Sequence, residues 1–278
     1  MREEQRMFED EFRKLYTQLG FIAENGNHLP LFEVCNHAER CWNRVGDERR
    51  PLQNESGISA PWVGRKYNEL GLLVIGINTN DAGGEGALTN LVERAREKLL
   101  DDPLRRLVFA DRQHGYRGSL FYHRAGSCAF EFAKSAKLLE EPSEMSPDGF
   151  PCNGDIAHAY DYVTYTNHIK CTLRGDRGRP THQMWEMCGG HVLAREVSIL
   201  QPRYILILGM ADNWWYFYQK VLNGRALPPA QGNGEVRQDE VEMYGKAVRI
   251  LLVPHPIRMG PNVFTIIRQA THELVTQT

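Results

Sequence analysis

Three apolar stretches of this chain end in side chains equipped for polar chemistry. GLLVIGI (Gly71–Ile77) runs into Asn78-Thr79-Asn80-Asp81, VTYTNHIK presents Asn167, and VRILLV runs into Pro254-His255-Pro256. An amide orients and hydrogen-bonds but cannot deprotonate, whereas an imidazole donates to developing charge or carries a proton. Thiols form a second set. Cys35 and Cys41 have five residues between them, and Cys171 and Cys188 have sixteen, across a basic loop leading into a helix. Two such pairs suffice for a four-thiolate site holding zinc or a [4Fe–4S] cluster. Spacing leaves equally open that all are buried small apolar residues. Cys128, on an apolar helical face, and Cys152, in a loop, read as bystanders. Lys170, Arg174, Arg177 and Arg179 place four cations in ten residues, a pattern suited to phosphates or simply to a solvated loop.

The elements that must position these groups follow from apolar patterning. Gly71–Ile77, Tyr162–Ile169, Tyr204–Leu208 and Val248–Val253 are short, rich in Val, Ile and Leu, and bounded by turn residues, as buried strands are. Helical patterns cover about Leu88–Leu100, Gly126–Leu139, Thr181–Leu200, Ala211–Leu222 and Asn262–Val275, and another opens the chain. This alternation predicts a three-layer α/β/α fold with a central four-stranded, mostly parallel sheet. Ligand sites in such sheets lie beyond the carboxyl ends of the strands, where the amides and imidazole fall. Linker-like stretches at Glu141–Asp155 and Leu227–Val236 do not divide the strand set. One domain over 1–278 is therefore expected, with a helical N-terminal extension (about 1–60) and a helical insertion (about 84–117).

Composition restricts the function class only loosely. The 278 residues are 42% hydrophobic and 24% charged, ordinary for a globular protein. With 33 Lys and Arg against 35 Asp and Glu, the net charge of −2 gives no global basic field, so any nucleic-acid contact must be local. The longest apolar run, Tyr204–Met210, is too short to span a bilayer. The charged opening MREEQRMFEDEFRKL lacks the apolar core of a secretory signal. The expectation is a cytoplasmic monomer without membrane contact.

The segment YTNHIKCTLRGDRGRPTHQMWEMC, followed by QPRYILILGMA, resembles the iron–sulfur uracil-DNA glycosylases. In that family a strand ends in Thr-Asn, then come Lys-Cys, a basic loop, a Pro-Thr helix start, a second cysteine and a strand ending in Leu-Gly. Thr166, Asn167, Lys170, Cys171, Pro180, Thr181, Cys188, Pro202, Leu208 and Gly209 match it. Upstream, GSLFYHRAG is similar to the family's GRPFVGRAG at Gly118, Phe121, Arg124, Ala125 and Gly126, and His255-Pro256 matches its HP motif. These anchors span about residues 70–275 in the family's order. Three features depart from it. The first cysteine pair is spaced by five residues, not two. Gly76-Ile77-Asn78-Thr79-Asn80 is closer to the GINPG of mismatch-specific uracil/thymine glycosylases than to GEAPG. About forty residues separate this motif from Gly118.

The resemblance implies a uracil-DNA glycosylase-like fold, a [4Fe–4S] cluster on Cys35, Cys41, Cys171 and Cys188, and DNA as partner, duplex or single-stranded. It also implies hydrolysis of the N-glycosidic bond of a flipped-out base. Asn78 would orient the attacking water, with Asp81 as an alternative base or stabiliser, and His255 would donate to the base oxygen as charge develops. Phe121 would stack on the base, Asn167 would read its edge, and Gly76, Ile77 and Asn80 would line the pocket. Lys170, Arg174, Arg177 and Arg179 would hold phosphates, and Arg258 and Met259 would supply a wedge into the vacated stack. Asn80 stands where uracil-specific members carry a bulky aromatic, so a base larger than uracil is expected, such as a C5-modified pyrimidine removed in antiviral defence. The competing readings are a plain uracil-DNA glycosylase in base-excision repair and a non-catalytic iron–sulfur DNA-binding protein. A small-molecule nucleotide enzyme lacks support, since no GxGxxG or GxxxxGK[ST] follows the first strand.

Overall fold

The structure is a computed structural model describing residues 3–21, 61–77, 88–104, 117–142, 144–170, 180–209, 211–230 and 235–277. Its centre is the apolar strand set found in the sequence. Strands β2 (Leu72–Gly76), β3 (Val163–Asn167), β4 (Tyr204–Leu208) and β6 (Lys246–Val253) run parallel in the order β3-β2-β4-β6. Apart from the start of β6, where Lys246 and Ala247 are exposed and Arg249 is half-buried, their residues are buried on both faces because helices cover both. Leu72, Val74, Leu206, Leu208, Leu251 and Val253 point to one core, while Leu73, Ile75, Ile205, Ile207, Ile250 and Leu252 point to the other. Burying each such side chain contributes on the order of 1.5–3 kcal/mol.

Helix α4 (Arg117–Ser135), α5 (Asn153–Ala159) and α9 (Pro261–Thr276) seal the first core. Helix α1 (Glu3–Gln18), α7 (Ala194–Leu200) and α8 (Ala211–Lys220) seal the second, where α1 inserts Phe8, Phe12, Leu15 and Tyr16. The insertion contributes α3 (Leu88–Asp101), and a single turn α2 (Tyr67–Leu70) leads into β2. No helix among the described residues is long and apolar enough to cross a membrane.

The sheet corrects the expected four-stranded, mostly parallel one. Among the described residues it is six-stranded and mixed, because β1 (Trp62–Val63) and β5 (Arg237–Met243) add antiparallel edges. Strand β1 has only two residues, too few for a pattern. Strand β5 reads RQDEVEM and gains its stability from pairing with β6, not from burial. The local signal was the turn: Tyr244 (φ 54°) and Gly245 (φ 71°) join Met243 to Lys246, and two central residues at positive φ are the tight-hairpin geometry.

Two helices also differ from their patterns. Helix α4 begins nine residues before Gly126 and takes in the GSLFYHRAG motif. The stretch Thr181–Leu200 is not one regular helix. Helix α6 (His182–Cys188), capped by Thr181 Oγ1 accepting from Met184 N at 3.3 Å, passes through a π-helical turn at Gly189–Leu193 into α7. At Gly189 a Cβ would lie 2.6 Å from His168 Nε2. The wider turn thus occurs where a buried side chain needs room.

Candidate functional site

Strand alternation decides which polar groups meet. In β3, Tyr165 and Asn167 point toward α4, and Thr164 and Thr166 point the opposite way. In register with Asn167 on the neighbouring strand is Gly76, where a Cβ would lie 2.4 Å from Asn167 Oδ1 and 2.7 Å from the Tyr165 hydroxyl. Only glycine leaves space for both groups against the end of β2. Asn167 and Tyr165 are almost fully buried.

At the other side of this edge, β6 ends at Val253 and the chain turns through His255 into a 3-10 turn, Pro256–Arg258. His255 Nδ1 accepts from Ile257 N–H at 3.4 Å, which leaves the proton of a neutral ring on Nε2. Burial, with the Arg258 guanidinium adding repulsion, pushes the imidazole pKa down to about 4. The ring is therefore neutral at pH 7 and presents Nε2–H as a donor.

Helix α4 fixes this turn through residues three apart on one face. Phe121 sets its ring 5.2 Å from the His255 ring. Arg124, buried, donates from Nη1 to the carbonyls of Pro256 (3.3 Å) and Ile257 (3.4 Å). From His255 a train of rings crosses the sheet edge: Phe121 at 5.2 Å, Tyr122 a further 5.3 Å on, then Tyr165 after 6.0 Å. It spans three interstrand spacings, roughly 14 Å. The sequence-predicted residues His255, Phe121, Gly76 and Asn167 are thus joined on one face by two tyrosines that sequence reasoning missed. Their signals were present. Tyr165 shares a strand face with Asn167, and Tyr122 adjoins Phe121.

Two predicted DNA contacts are overturned. Lys170 is 1% exposed, and its Nζ donates to Glu196 Oε2 (2.5 Å) and Thr166 Oγ1 (2.7 Å). Thr166 Oγ1 donates to the same carboxylate at 2.9 Å, and the Tyr16 hydroxyl donates to Glu196 Oε1. Burial lowers the lysine pKa and Glu196 opposes that shift. This cation completes an internal ion pair on the face away from His255, and no phosphate reaches it. Met259 is 0% exposed and packs in the first core, where the Cys128 thiol meets its sulfur at 3.8 Å, so it cannot act as a wedge. Arg258 is exposed and close enough to His255 to act on it electrostatically. The Ile77 side chain leaves the ring train and packs with Ile169, Trp185 and Cys188, in space provided by Gly209 (φ 122°), whose Cβ would lie 2.7 Å from Ile77 Cδ1.

Behind the site, Asn213 ties the strand ends together. Its Nδ2 donates to Leu208 O at 2.8 Å, and its Oδ1 faces His168 Nδ1 at 3.0 Å. Burial pushes the His168 pKa down to about 3.

Of the thiols, Cys128, Cys152 and Cys188 are buried and free of disulfides. Cys188 ends α6, close enough to Lys170 and Tyr16 to interact electrostatically with both, and Lys170 directly precedes Cys171. Among the described residues no group of three or more His, Cys, Asp or Glu is arranged to hold a metal. Asn78, Asn80, Asp81, Arg174, Arg177, Arg179, Cys35, Cys41 and Cys171 lie outside the described residues. No model of a known family matches the chain, and a search of curated proteins finds no match either.

Proposed function

We propose that this protein is a monofunctional DNA glycosylase, hydrolysing the N-glycosidic bond of a flipped-out pyrimidine to leave an abasic site. The observation that carries the reading is the pairing of the His255 imidazole with the Phe121 ring at 5.2 Å, beyond the carboxyl end of a parallel sheet. Cleavage needs a surface on which an extruded base can stack and a donor for the charge that the departing base accumulates. Phe121 supplies the first. The neutral His255 Nε2–H supplies the second, a kind of contact typically worth about 3 kcal/mol. Arg124 positions both by holding the 3-10 turn. Asn167 reads the base edge. Asn78, or Asp81, orients water at the sugar, and Asn80 leaves room for a C5 substituent.

Cys35, Cys41, Cys171 and Cys188 would hold a [4Fe–4S] cluster, and the nearness of Cys188 to the residue preceding Cys171 fits a shared site. A cluster held by these residues would serve to fasten the segment carrying Arg174, Arg177 and Arg179. Antiviral defence is the setting proposed for removal of hypermodified bases.

The test is release of uracil, thymine and 5-substituted pyrimidines from duplex and single-stranded oligonucleotides, with abasic sites as the readout. Wild type forms them, and His255→Ala and Asn78→Ala do not. The pH profile of kcat/KM shows no inflection near the ordinary histidine value of 6.5. Activity confined to uracil removes the larger-base reading. DNA binding without abasic sites from any substrate removes catalysis and leaves the non-catalytic binding protein. Cys188→Ser loses the visible iron–sulfur absorbance; an unaltered spectrum excludes Cys188 as a ligand.

A further inference from the structure

Gly76 is the tightest point of the site's floor, and the groups that crowd it are more than structural filling. A Cβ there would meet Asn167 Oδ1 at 2.4 Å and the Tyr165 hydroxyl at 2.7 Å, so both oxygens converge on one point at the end of β2. Their mutual distance is therefore bounded at about 5 Å, within the span of neighbouring polar atoms along a base edge. The Tyr165 ring packs on Tyr122 at 6.0 Å and an interplanar angle of 54°, with its hydroxyl at the end of β2 beside the Asn167 amide. Tyr122 in turn contacts Phe121, the proposed stacking ring. The ring train thus runs from the proposed stacking ring to the phenol and the amide at the end of β2. Burial keeps the phenol well above its usual pKa, so it remains a protonated donor throughout the working pH range.

We infer that Tyr165 is a specificity-determining residue whose hydroxyl donates to a ring carbonyl of the bound pyrimidine, beside the Asn167 amide, where Gly76 leaves room for both groups. The inference rests on the proposed glycosylase reading and deepens it, because it names the ligand edge: a pyrimidine presenting a carbonyl next to a second hydrogen-bonding atom. The site then discriminates by leaving its own buried groups, or those of the wrong base, unpaired.

The test compares wild type, Tyr165→Phe and Gly76→Ala on oligonucleotides containing uracil and on analogues lacking the 2- or the 4-carbonyl oxygen. Tyr165→Phe keeps the ring packing, and its kcat/KM on uracil falls roughly ten- to a hundredfold, as for a lost buried hydrogen bond. On the analogue lacking the oxygen that Tyr165 reads, wild type and Tyr165→Phe become equal. That convergence would not arise from a merely structural tyrosine. Gly76→Ala displaces both oxygens and loses activity on every base.

A second arm uses free uracil and cytosine, followed by saturation-transfer NMR on the intact protein. Binding that weakens in Tyr165→Phe is expected whether or not the chain cleaves DNA. Equal activity of wild type and Tyr165→Phe on all substrates, with equal binding of free bases, overturns the Tyr165 assignment and leaves the glycosylase reading intact. Tyrosine-dependent base binding without abasic sites overturns the glycosylase reading and leaves Tyr165 as a base contact. Neither cleavage nor base binding by wild type removes both.

Discussion

The two faces of strand β3 carry polar groups of similar type in very different situations. On the face toward α7, Thr166, Lys170, Glu196 and Tyr16 close on one another: the lysine and the threonine share one carboxylate oxygen, and the tyrosine takes the other. On the face toward α4, Tyr165 and Asn167 are placed by ring contacts and by the missing Cβ of Gly76, and the train continues to a neutral His255. The first face spends its hydrogen bonds on the fold. The second presents them at the carboxyl edge of the sheet, where ligands of α/β proteins bind. A lysine three residues beyond a strand end in a basic segment is therefore not evidence of a phosphate contact until its burial is known.

The largest effect expected from breaking this contrast is on the closed face. Lys170→Met leaves the buried Glu196 without its counter-ion and costs about 3–5 kcal/mol in chemical denaturation, while the double change Lys170→Met with Glu196→Leu recovers most of it. An unchanged denaturation midpoint, together with a salt slope of DNA binding reduced by about one, would make Lys170 a phosphate contact after all. On the open face the pattern reverses. His255→Ala lowers kcat/KM roughly 100- to 1,000-fold while shifting stability by less than about 1 kcal/mol. A collapse in stability there would make the imidazole a structural part.

Arg124 lies between these extremes, since it is buried like the closed face but serves the open one. Arg124→Met is expected to cost about 1.5–3 kcal/mol, from charge-assisted bonds to two carbonyls, and to lower the rate together with the stability. A stability loss with a full rate would show that the 3-10 turn holds its shape without Arg124.

A further effect, visible only on acidification, is on acid stability. The folded-state pKa of His168, pushed down to about 3, lies below its unfolded value near 6.5. Its contribution is thus fully present above pH 6.5 and is lost as pH falls toward 3, at up to about 1.4 kcal/mol per pH unit. His168→Gln should flatten that slope in denaturation series between pH 6.5 and 4; an unaltered slope would assign the acid sensitivity to other groups.

Much of the scaffold was legible in sequence because it is local. A parallel strand covered on both faces is mostly apolar, and Leu72–Gly76, Tyr204–Leu208 and Val248–Val253 carry that signature, whereas Val163–Asn167 is buried although threonines alternate along it. The helical pattern beginning at Thr181 was equally visible, and the structure uses that threonine as the N-cap of α6. The edge strands were not, because β5 is defined by pairing with β6, a property of two segments together. Within the site, chain order put an imidazole and amides at strand ends. The Phe121–His255 contact joins residues on α4 and beyond β6, brought together only by helix packing.

Residue type and spacing by themselves determined the alternation of strands and helices, the polar strand ends and the charge balance, because each depends on neighbours a few positions away. Tertiary structure alone decided that Lys170 is an internal counter-ion, that Met259 belongs to the core, and that Tyr122 and Tyr165 connect His255 to Asn167. Burial and partnership depend on groups distant in the chain: Glu196 lies 26 residues from Lys170 and Tyr16 lies 180 residues from Glu196. Whether a cation meets a carboxylate inside the protein or a phosphate outside it is set by where those distant segments pack.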